Sequence, residues 1–482
     1  MTRGKPTQAV QLIALARRHY EIALDQGGQP FGIPRRGPRI VRPLLGRGGS
    51  LRAALQTEFL KLNDSIPNPT ALTGALEVLE AEAHEGERVE VGLRCARLGG
   101  NGLVIDLGTP DGRVIVVRDG AWKIREQAPR GVLFRRTAMT GAMPVPVRGG
   151  NLEDLHALVN VTDEGWELVR AWLVLAWQSH VPIPILALIG EHGSGKSSLG
   201  RRVVQLTDPN PVGLRGPPKD ESQMQTTAAA SRVLGFDNLS RILEWQSDAL
   251  CRMVTGEGTA TRRLYTDADL CLQAFRRAVL ITSIDPGGFR GDLGDRLLPV
   301  ELGRIRGREG ENELDARAGA LLPGILGALL DLVAEVLANP VKVDRPPRMA
   351  DAAALMAATD SVTGGDALGA YARGRDDVAG QVLESDPVAA RVLWFLDEYL
   401  PAQPHDPAVR NGWYGPATDL YRRLTPSLDE RANWPRNARS LSQRLKNLEP
   451  SLRAVGVEVE WAKRGGVRGV GLRRRSRRRR IT

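Results

Sequence analysis

At 482 residues, 42% hydrophobic and 25% charged, the chain is long enough for two to four domains with cores of their own, and its composition excludes a disordered or fibrous polymer. Seven of its ten net positive charges sit in Arg473–Arg480, so the remainder is only mildly basic and the charge points to a polyanion at the C-terminal tail, the bland reading being a solvated tail. Cys95, Cys251 and Cys271 are odd in number, far apart and without C-x-x-C spacing, which argues against a disulfide framework or a zinc site and fits a reducing compartment. Met1–Pro6 lacks the apolar core of a secretory signal, and the apolar windows at 171–190 and 316–338 are interrupted by polar residues and prolines. The expectation is a cytoplasmic protein without a membrane partner.

In chain order, residues 7–25 read as an amphipathic helix and 27–49 as a Gly/Pro/Arg-rich connection. Two more helical patterns fall at about 50–62 and 69–84. From Arg88 the texture changes to short apolar or alternating runs between glycine-rich turns, which read as strands and end near Gly150. Residues 1–150 thus form an α+β domain of unassigned role. Alternating strand and helix signals over 151–345 predict a parallel α/β sheet. Residues 346–386 read as a helical lid and linker. Over 387–472 come helices at Val388–Leu400, Pro416–Leu424 and Pro435–Leu448, then a hairpin from Val457 to Leu472, the order of a winged helix. Residues 473–482 are the Arg-rich tail.

The sharpest signal is Gly190-Glu191-His192-Gly193-Ser194-Gly195-Lys196-Ser197, which reads G-x-x-x-x-G-K-S between an apolar run ending at Ile189 and a helical segment opening at Ser198. Glycines let successive N–H groups wrap a phosphate, and a helix N-terminus adds favourable field. Lys196 is placed for the β- and γ-phosphates of ATP and Ser197 for Mg2+. An apolar run ending in Asp237 suits a second, carboxylate contact to that metal at a strand's C-terminal end. Asn238 follows where hydrolysing ATPases usually carry glutamate; an amide orients water but is no base. The next apolar strand ends in Thr282 and Ser283, and both qualify as polar contacts to the γ-phosphate or water, helix-capping hydroxyls being the plain alternative. Arg296, before another apolar run, is a candidate arginine finger, with Arg262 and Arg263 competing and a salt bridge to Asp292 or Asp295 as the structural alternative.

The order of this loop, Asp237-Asn238-Leu-Ser, Thr255-Gly256, Arg263-Leu-Tyr265-Thr-Asp267 and Asp292-Leu-Gly-Asp-Arg296 resembles the AAA+ ATPases of phage and integrative-element replication proteins, which are similar to superfamily 3 helicases and to the helicase half of primase-helicases. The likeness is strongest over about 150–305 and weaker at Arg348–Asp351, Trp413–Pro416 and Trp434-Pro435. It implies a homo-oligomeric ring, a hexamer being one form, that binds ATP and Mg2+ between subunits with an arginine supplied in trans, and acts on duplex or single-stranded DNA. By position it gives Lys196, Ser197 and Asp237 the nucleotide roles and Arg296 the finger role. Two departures stand out: Asn238 for glutamate, and Thr-Ser where those helicases usually place asparagine. The leading expectation is therefore a DNA-stimulated ATPase, a helicase or origin-melting motor. The alternative is an ATP-switched initiator, loader or regulator that does not translocate, and a small-molecule P-loop kinase ranks third. Arg436, Arg439, Arg444 and Lys446 on the last helix, with Lys463 and Arg464 in the hairpin, are the candidate DNA contacts, a solvated charged face being their bland reading.

Overall fold

The computed structural model describes residues 6–46, 48–239, 242–257, 259–262, 270–273, 276–284, 291–305, 310–402, 412–427, 434–464 and 466–474. The Arg263–Asp267 stretch and the tail beyond Arg474 lie outside these residues, and the side chains of Arg262 and Asp292 do as well.

Helix α1 (Gln8–His19) is capped by Thr7 and stops six residues short of its sequence expectation. Tyr20–Asp25 is instead strand β1, antiparallel to β2 (Pro30–Pro34), which in turn pairs with β3 (Ile40–Pro43). The expected connection is thus two strands, with Pro30, Pro34 and Pro43 at strand ends where a missing N–H costs least. Tyr20–Asp25 satisfies either period, and pairing to Phe31 and Ile33 decides it by burying Ala23 and Leu24. Helices α2 (Leu51–Asn63) and α3 (Pro69–Glu85) close over α1 through Leu12, Leu51, Leu55, Leu72 and Leu79. Strand β4 (Arg88–Val89) adds to β1 in parallel. A four-stranded meander follows: β5 (Cys95–Leu98), β6 (Gly102–Asp106), β7 (Val114–Arg118) and β8 (Ala121–Arg125). Strand β9 (Phe134–Arg135) completes the first sheet, in the order β4-β1-β2-β3-β9.

After α4 (Glu153–His156) and α5 (Asp163–Leu175) comes the central unit. It runs β10 (Ile185–Ile189), α6 (Lys196–Thr207), α7 (Glu221–Ala230), β11 (Val233–Phe236), α8 (Glu244–Thr255), the hairpin β12 (Thr259–Arg262) and β13 (Leu270–Gln273), β14 (Ala278–Ser283), α9 (Gly291–Gly294), β15 (Leu297–Glu301) and α10 (Glu311–Ala338). Strands β11-β14-β10-β15 form one parallel sheet in that order. Its strands are buried on both faces, which is why they read as continuous apolar runs rather than alternating ones. Helix α10 is long and apolar enough to cross a membrane by composition, but here it buries Ile325, Leu326, Leu329, Leu330 and Val333 in the core.

Helices α11 (Ala350–Thr363) and α12 (Ala367–Ser385) pack on α5, with α12 also against β15. Last come α13 (Pro387–Trp394), continued by a π-helical turn to Tyr399, then β16 (Trp413–Gly415), α14 (Ala417–Leu424), α15 (Ala438–Ala454), β17 (Val457–Arg464) and β18 (Val467–Arg474). The three strands form an antiparallel sheet, β16-β18-β17. Asn437 caps α15, which continues past Leu448 to Ala454 despite Pro450.

One buried ion pair ties the N-terminal strands to the central sheet. Arg94, 1% exposed, donates from Nε to Asp208 Oδ1 at 2.8 Å and from its terminal nitrogens to the carbonyls of Asp106 and Gly141. Asp208 Oδ2 accepts the Arg232 and Val233 N–H groups at 2.7 and 3.0 Å, fixing the start of β11. Removing one member leaves a buried charge without compensation, at a cost of about 3–5 kcal/mol. Arg94→Ala and Asp208→Ala are each expected to lower the unfolding free energy read from urea titration by that amount, shifting the midpoint down, and an unchanged midpoint in either would show that the pair does not hold the junction.

Candidate functional site

The parallel sheet brings three strand ends to one edge. The 190–197 loop leaves β10, Asp237 follows β11, and Thr282 lies near the end of β14. A cleft of about 730 Å³ opens there, lined by His192 to Ser198, Asp237, Asn238 and Thr282. Ala157 to Asn160, Arg201, Ile284, Ile305, Leu314 and Arg317 complete its lining.

The loop's shape depends on its glycines. Gly195 sits at φ 90° as α6 begins, a left-handed conformation that a β-carbon disfavours. A β-carbon on Gly190 would come within 2.5 Å of the Leu302 carbonyl oxygen. Lys196 Nζ donates back to the carbonyls of Gly190 and Glu191 at 2.6 and 2.7 Å, so the ammonium lies inside the loop's own curve. Burial there pushes its pKa below the ordinary 10.5, with Asp237 opposing the shift. Asn160 braces the loop from outside, donating to the carbonyls of Ser194 at 3.1 Å and Gly303 at 2.6 Å.

Asp237 is the centre of the polar network. Its Oδ1 accepts Ser197 Oγ at 2.8 Å and Thr282 Oγ1 at 2.6 Å. Thr282 Oγ1 in turn accepts the Asn238 N–H at 2.8 Å. Ser197 and Asp237 are thus adjacent hydroxyl and carboxylate oxygens facing the cleft, a hard-oxygen pair of the kind that suits Mg2+ together with phosphate oxygens and water. Asn238 has φ 58°, and asparagine tolerates this left-handed backbone better than glutamate. The local geometry therefore gives a physical reason for an amide at this place.

The structure brings Gly190, Gly193, Ser194, Gly195, Lys196, Ser197, Ser198, Asp237, Asn238 and Thr282 together. The Glu191 carboxylate turns away to Arg304 Nε at 2.5 Å. Ser283 is buried, and its carbonyl accepts the Gly190 N–H at 3.2 Å. Of the two sensor candidates, Thr282 is the one on the cleft. Arg296 is not brought there. It precedes β15, whose Leu297 pairs with Ile185 at the opposite end of β10 from the loop, roughly 20 Å away at strand rise. At 4% exposure its side chain is also not presented to a neighbouring subunit. Of the two partners considered for Arg296, Asp295 pairs with Arg375 at 3.3 Å and Arg348 at 3.8 Å, and the Asp292 side chain lies outside the described residues.

Sequence reasoning missed Asn160, Arg201, Ile305, Leu314 and Arg317. Arg201 was within reach: it lies four residues after Ser197, on the same face of α6. Arg317 and Leu314 share a face of α10, more than a hundred residues downstream, and no spacing rule connects that helix to the loop.

The geometry defines a mixed α/β protein with a polar cleft along the carboxyl edge of a parallel sheet. A family model described as the actinomycete integrative conjugative element replication protein matches residues 152–381, and one described as the AICE RepA C-terminal domain matches 388–482. The chain belongs to this replication-protein family. No curated protein matches it. Among solved structures, the apo NrS-1 C-terminal region (305–718) is 13% identical with a TM-score of 0.40, covering 98% of this chain and 100% of that one. The structure titled SCCmec type IV Cch, active helicase, is 11% identical with a TM-score of 0.43, covering 95% and 93%.

Thr282→Val removes both a donor to the Asp237 carboxylate and the acceptor of the Asn238 N–H. It is expected to cost about 1.5–3 kcal/mol in chemical denaturation, while Thr282→Ser, which keeps the hydroxyl, costs less. Equal losses in the two variants would show that the hydroxyl bridge contributes nothing.

Proposed function

We propose that the chain is a P-loop ATPase of the AAA+ type that binds ATP and Mg2+ in the 190–197 cleft and acts on DNA during replication of an integrative element. The observation that carries this reading is the meeting of Lys196, Ser197, Asp237 and Thr282 at one edge of a parallel sheet. Phosphates would enter the loop and draw Lys196 Nζ off its backbone carbonyls, exchanging neutral acceptors for charged ones. Ser197 and Asp237 would hold the metal. The apolar Leu158, Val159, Ile305 and Leu314 suit a nucleobase, and Arg201 and Arg317 add positive charge to the same cleft.

The C-terminal helices and sheet support the winged-helix reading. Arg439, Gln443 and Lys446 follow one exposed face of α15, the face such a domain lays against the major groove, and Lys446 also lies over the Trp461 ring at 5.2 Å; Arg436, expected on this helix, instead precedes its Asn437 cap. Arg444 does not belong to that face. Its guanidinium donates to Asp386, which is 4% exposed and caps α13 through the Val388 and Ala389 N–H groups. Arg464 pairs with Glu460 and lies over the Tyr414 ring at 4.3 Å, whereas Lys463 is exposed.

A homo-oligomeric ring that melts or unwinds DNA is the leading form of this activity. One observation favours the slower, switch-like form. Among the described residues lining the cleft, Asp237 is the one carboxylate, and it is committed to Ser197 and Thr282. With an amide at Asn238, the base for the attacking water falls to His192, which also lines the cleft, or to a group from a neighbouring subunit.

Turnover of ATP is expected to require Mg2+, to stop with chelator, and to be lost in Lys196→Ala. Stimulation by single-stranded or duplex DNA with strand displacement identifies the motor. Tight ATP binding without turnover on any DNA identifies the switch, and no ATP binding at all overturns both.

The protonated Lys196 is the form that neutralises phosphate. Since its pKa is lowered, ATP affinity is expected to fall as pH rises toward a value below 10.5, and the fall should vanish in Lys196→Ala. In DNA binding, Arg439→Ala is expected to reduce the salt slope by about 1. Arg444→Ala is expected to leave that slope alone and to lower thermal stability instead. A salt slope that falls in Arg444→Ala would remove the distinction.

A further inference from the structure

A second cavity, of about 270 Å³, lies where four parts of the chain meet. The β5–β6 turn, the segment after α5, the C-terminal end of α10 and helix α11 each supply one wall. Val181, Val336, Leu337 and Leu355 make it apolar, with Ala358 beside them. Gln178 also lines it, is 3% exposed, and its Nε2 finds no hydrogen-bond partner in the protein. The exposed residues Arg97, His180 and Asp351 form the rim.

An amide nitrogen buried without a partner is costly, and native interiors rarely keep one unless something outside the chain satisfies it. Here the Gln178 residue lines open volume, while Nε2 itself is covered by neighbouring protein atoms. The terminal torsion of glutamine is broad, so its amide can turn toward that volume without backbone movement. Apolar walls, one buried polar group and a charged rim are the composition of a small-molecule site. The walls are set by elements already fixed elsewhere. Asn101 Nδ2 donates to the Leu337 carbonyl at 3.0 Å, tying the β5–β6 turn to the end of α10, and Arg276 donates to the His180 carbonyl.

We infer that this cavity is a binding site, separate from the nucleotide cleft, for a small neutral ring compound with one carbonyl acceptor, a lactam or an aromatic amide. Its flat apolar faces pack between Val181, Val336 and Leu355, and its carbonyl oxygen accepts a hydrogen bond from Gln178 Nε2. The rim carries both signs of charge, Arg97 and Asp351, so a net ionic group on the ligand is not selected. The cleft and this cavity share α10, with Leu314 and Arg317 near its start and Val336 and Leu337 at its end.

The test is ligand-observed NMR on the full chain with 2-pyridone, benzamide and toluene as probes, repeated with saturating ATP to exclude the nucleotide cleft. Both carbonyl probes are expected to bind the wild type whether or not ATP is present. In Gln178→Leu their affinity is expected to fall about tenfold while toluene binding is retained. Gln178→Met keeps the side-chain length and removes the donor; it should lose the carbonyl probes equally, which keeps the test open if the leucine variant misfolds. No binding of any probe to the wild type overturns the inference. So does carbonyl-probe binding that survives both substitutions, or that disappears with ATP.

Discussion

The active edge of this protein depends on one carboxylate oxygen. Asp237 Oδ1 accepts hydroxyl hydrogens from Ser197 and Thr282, residues on α6 and β14, elements that flank the strand delivering Asp237. Three segments that share no local sequence are thereby held at hydrogen-bonding distance. The parallel sheet makes this possible, because all of its strands end on the same side and their loops therefore meet. Thr282 also holds the Asn238 N–H and so couples the carboxylate to the backbone that follows it. On the proposed reading Ser197 and Asp237 would hold a metal ion, which would compete with the two hydroxyls for this oxygen.

How much of this was visible in the sequence differs from element to element. The glycine loop, the strand before it and the helix after it are contiguous, so their chemistry is written in eight adjacent residues. Asp237 and Thr282 were also legible, because buried parallel strands are apolar runs and a polar residue at the end of such a run stands out. Arg296 looked similar, a charged residue beside an apolar run, yet it falls at the start of its strand rather than the end. In a parallel sheet that difference is the whole length of the strand. The conflict at Tyr20–Asp25 has another cause: six residues satisfy both the helical and the strand period, and only β2, whose sequence looks like a linker, settles it. Strand β16 was missed because three residues carry no period at all.

Net charge says nothing about which arginines are free, and several in the body are not. Arg277 donates to the carbonyls of Ala228 and Arg276, Arg135 to that of Ala229, and Arg232 to those of Ala176 and Arg276. Ala228 and Ala229 are in the last turn of α7, where carbonyls have no helical partner. These side chains act as caps on a helix end whose dipole favours cations. Crowding them has a measurable consequence: burial, then the neighbouring Arg232 and Arg135, push Arg277 down to about 9. Arginines of this kind contribute to the net charge while offering nothing to a phosphate backbone.

The same distinction governs the C-terminal helix. Arg439 and Arg444 look equivalent in sequence, five residues apart on a basic helix. Five residues is 500° of turn, so the two point to different faces, and only Arg444 meets the buried Asp386. Charge becomes available for DNA when the helix face that carries it has nothing else to bind. On this helix that condition holds for Arg439, whereas Lys446 lies over the Trp461 ring at 5.2 Å and Gln443 donates to Asn447 at 3.4 Å. On the proposed reading such a helix would hold a phosphate backbone through its free cations and leave base discrimination to the Gln443 and Asn447 amides, too little to specify a long site without a second reading element.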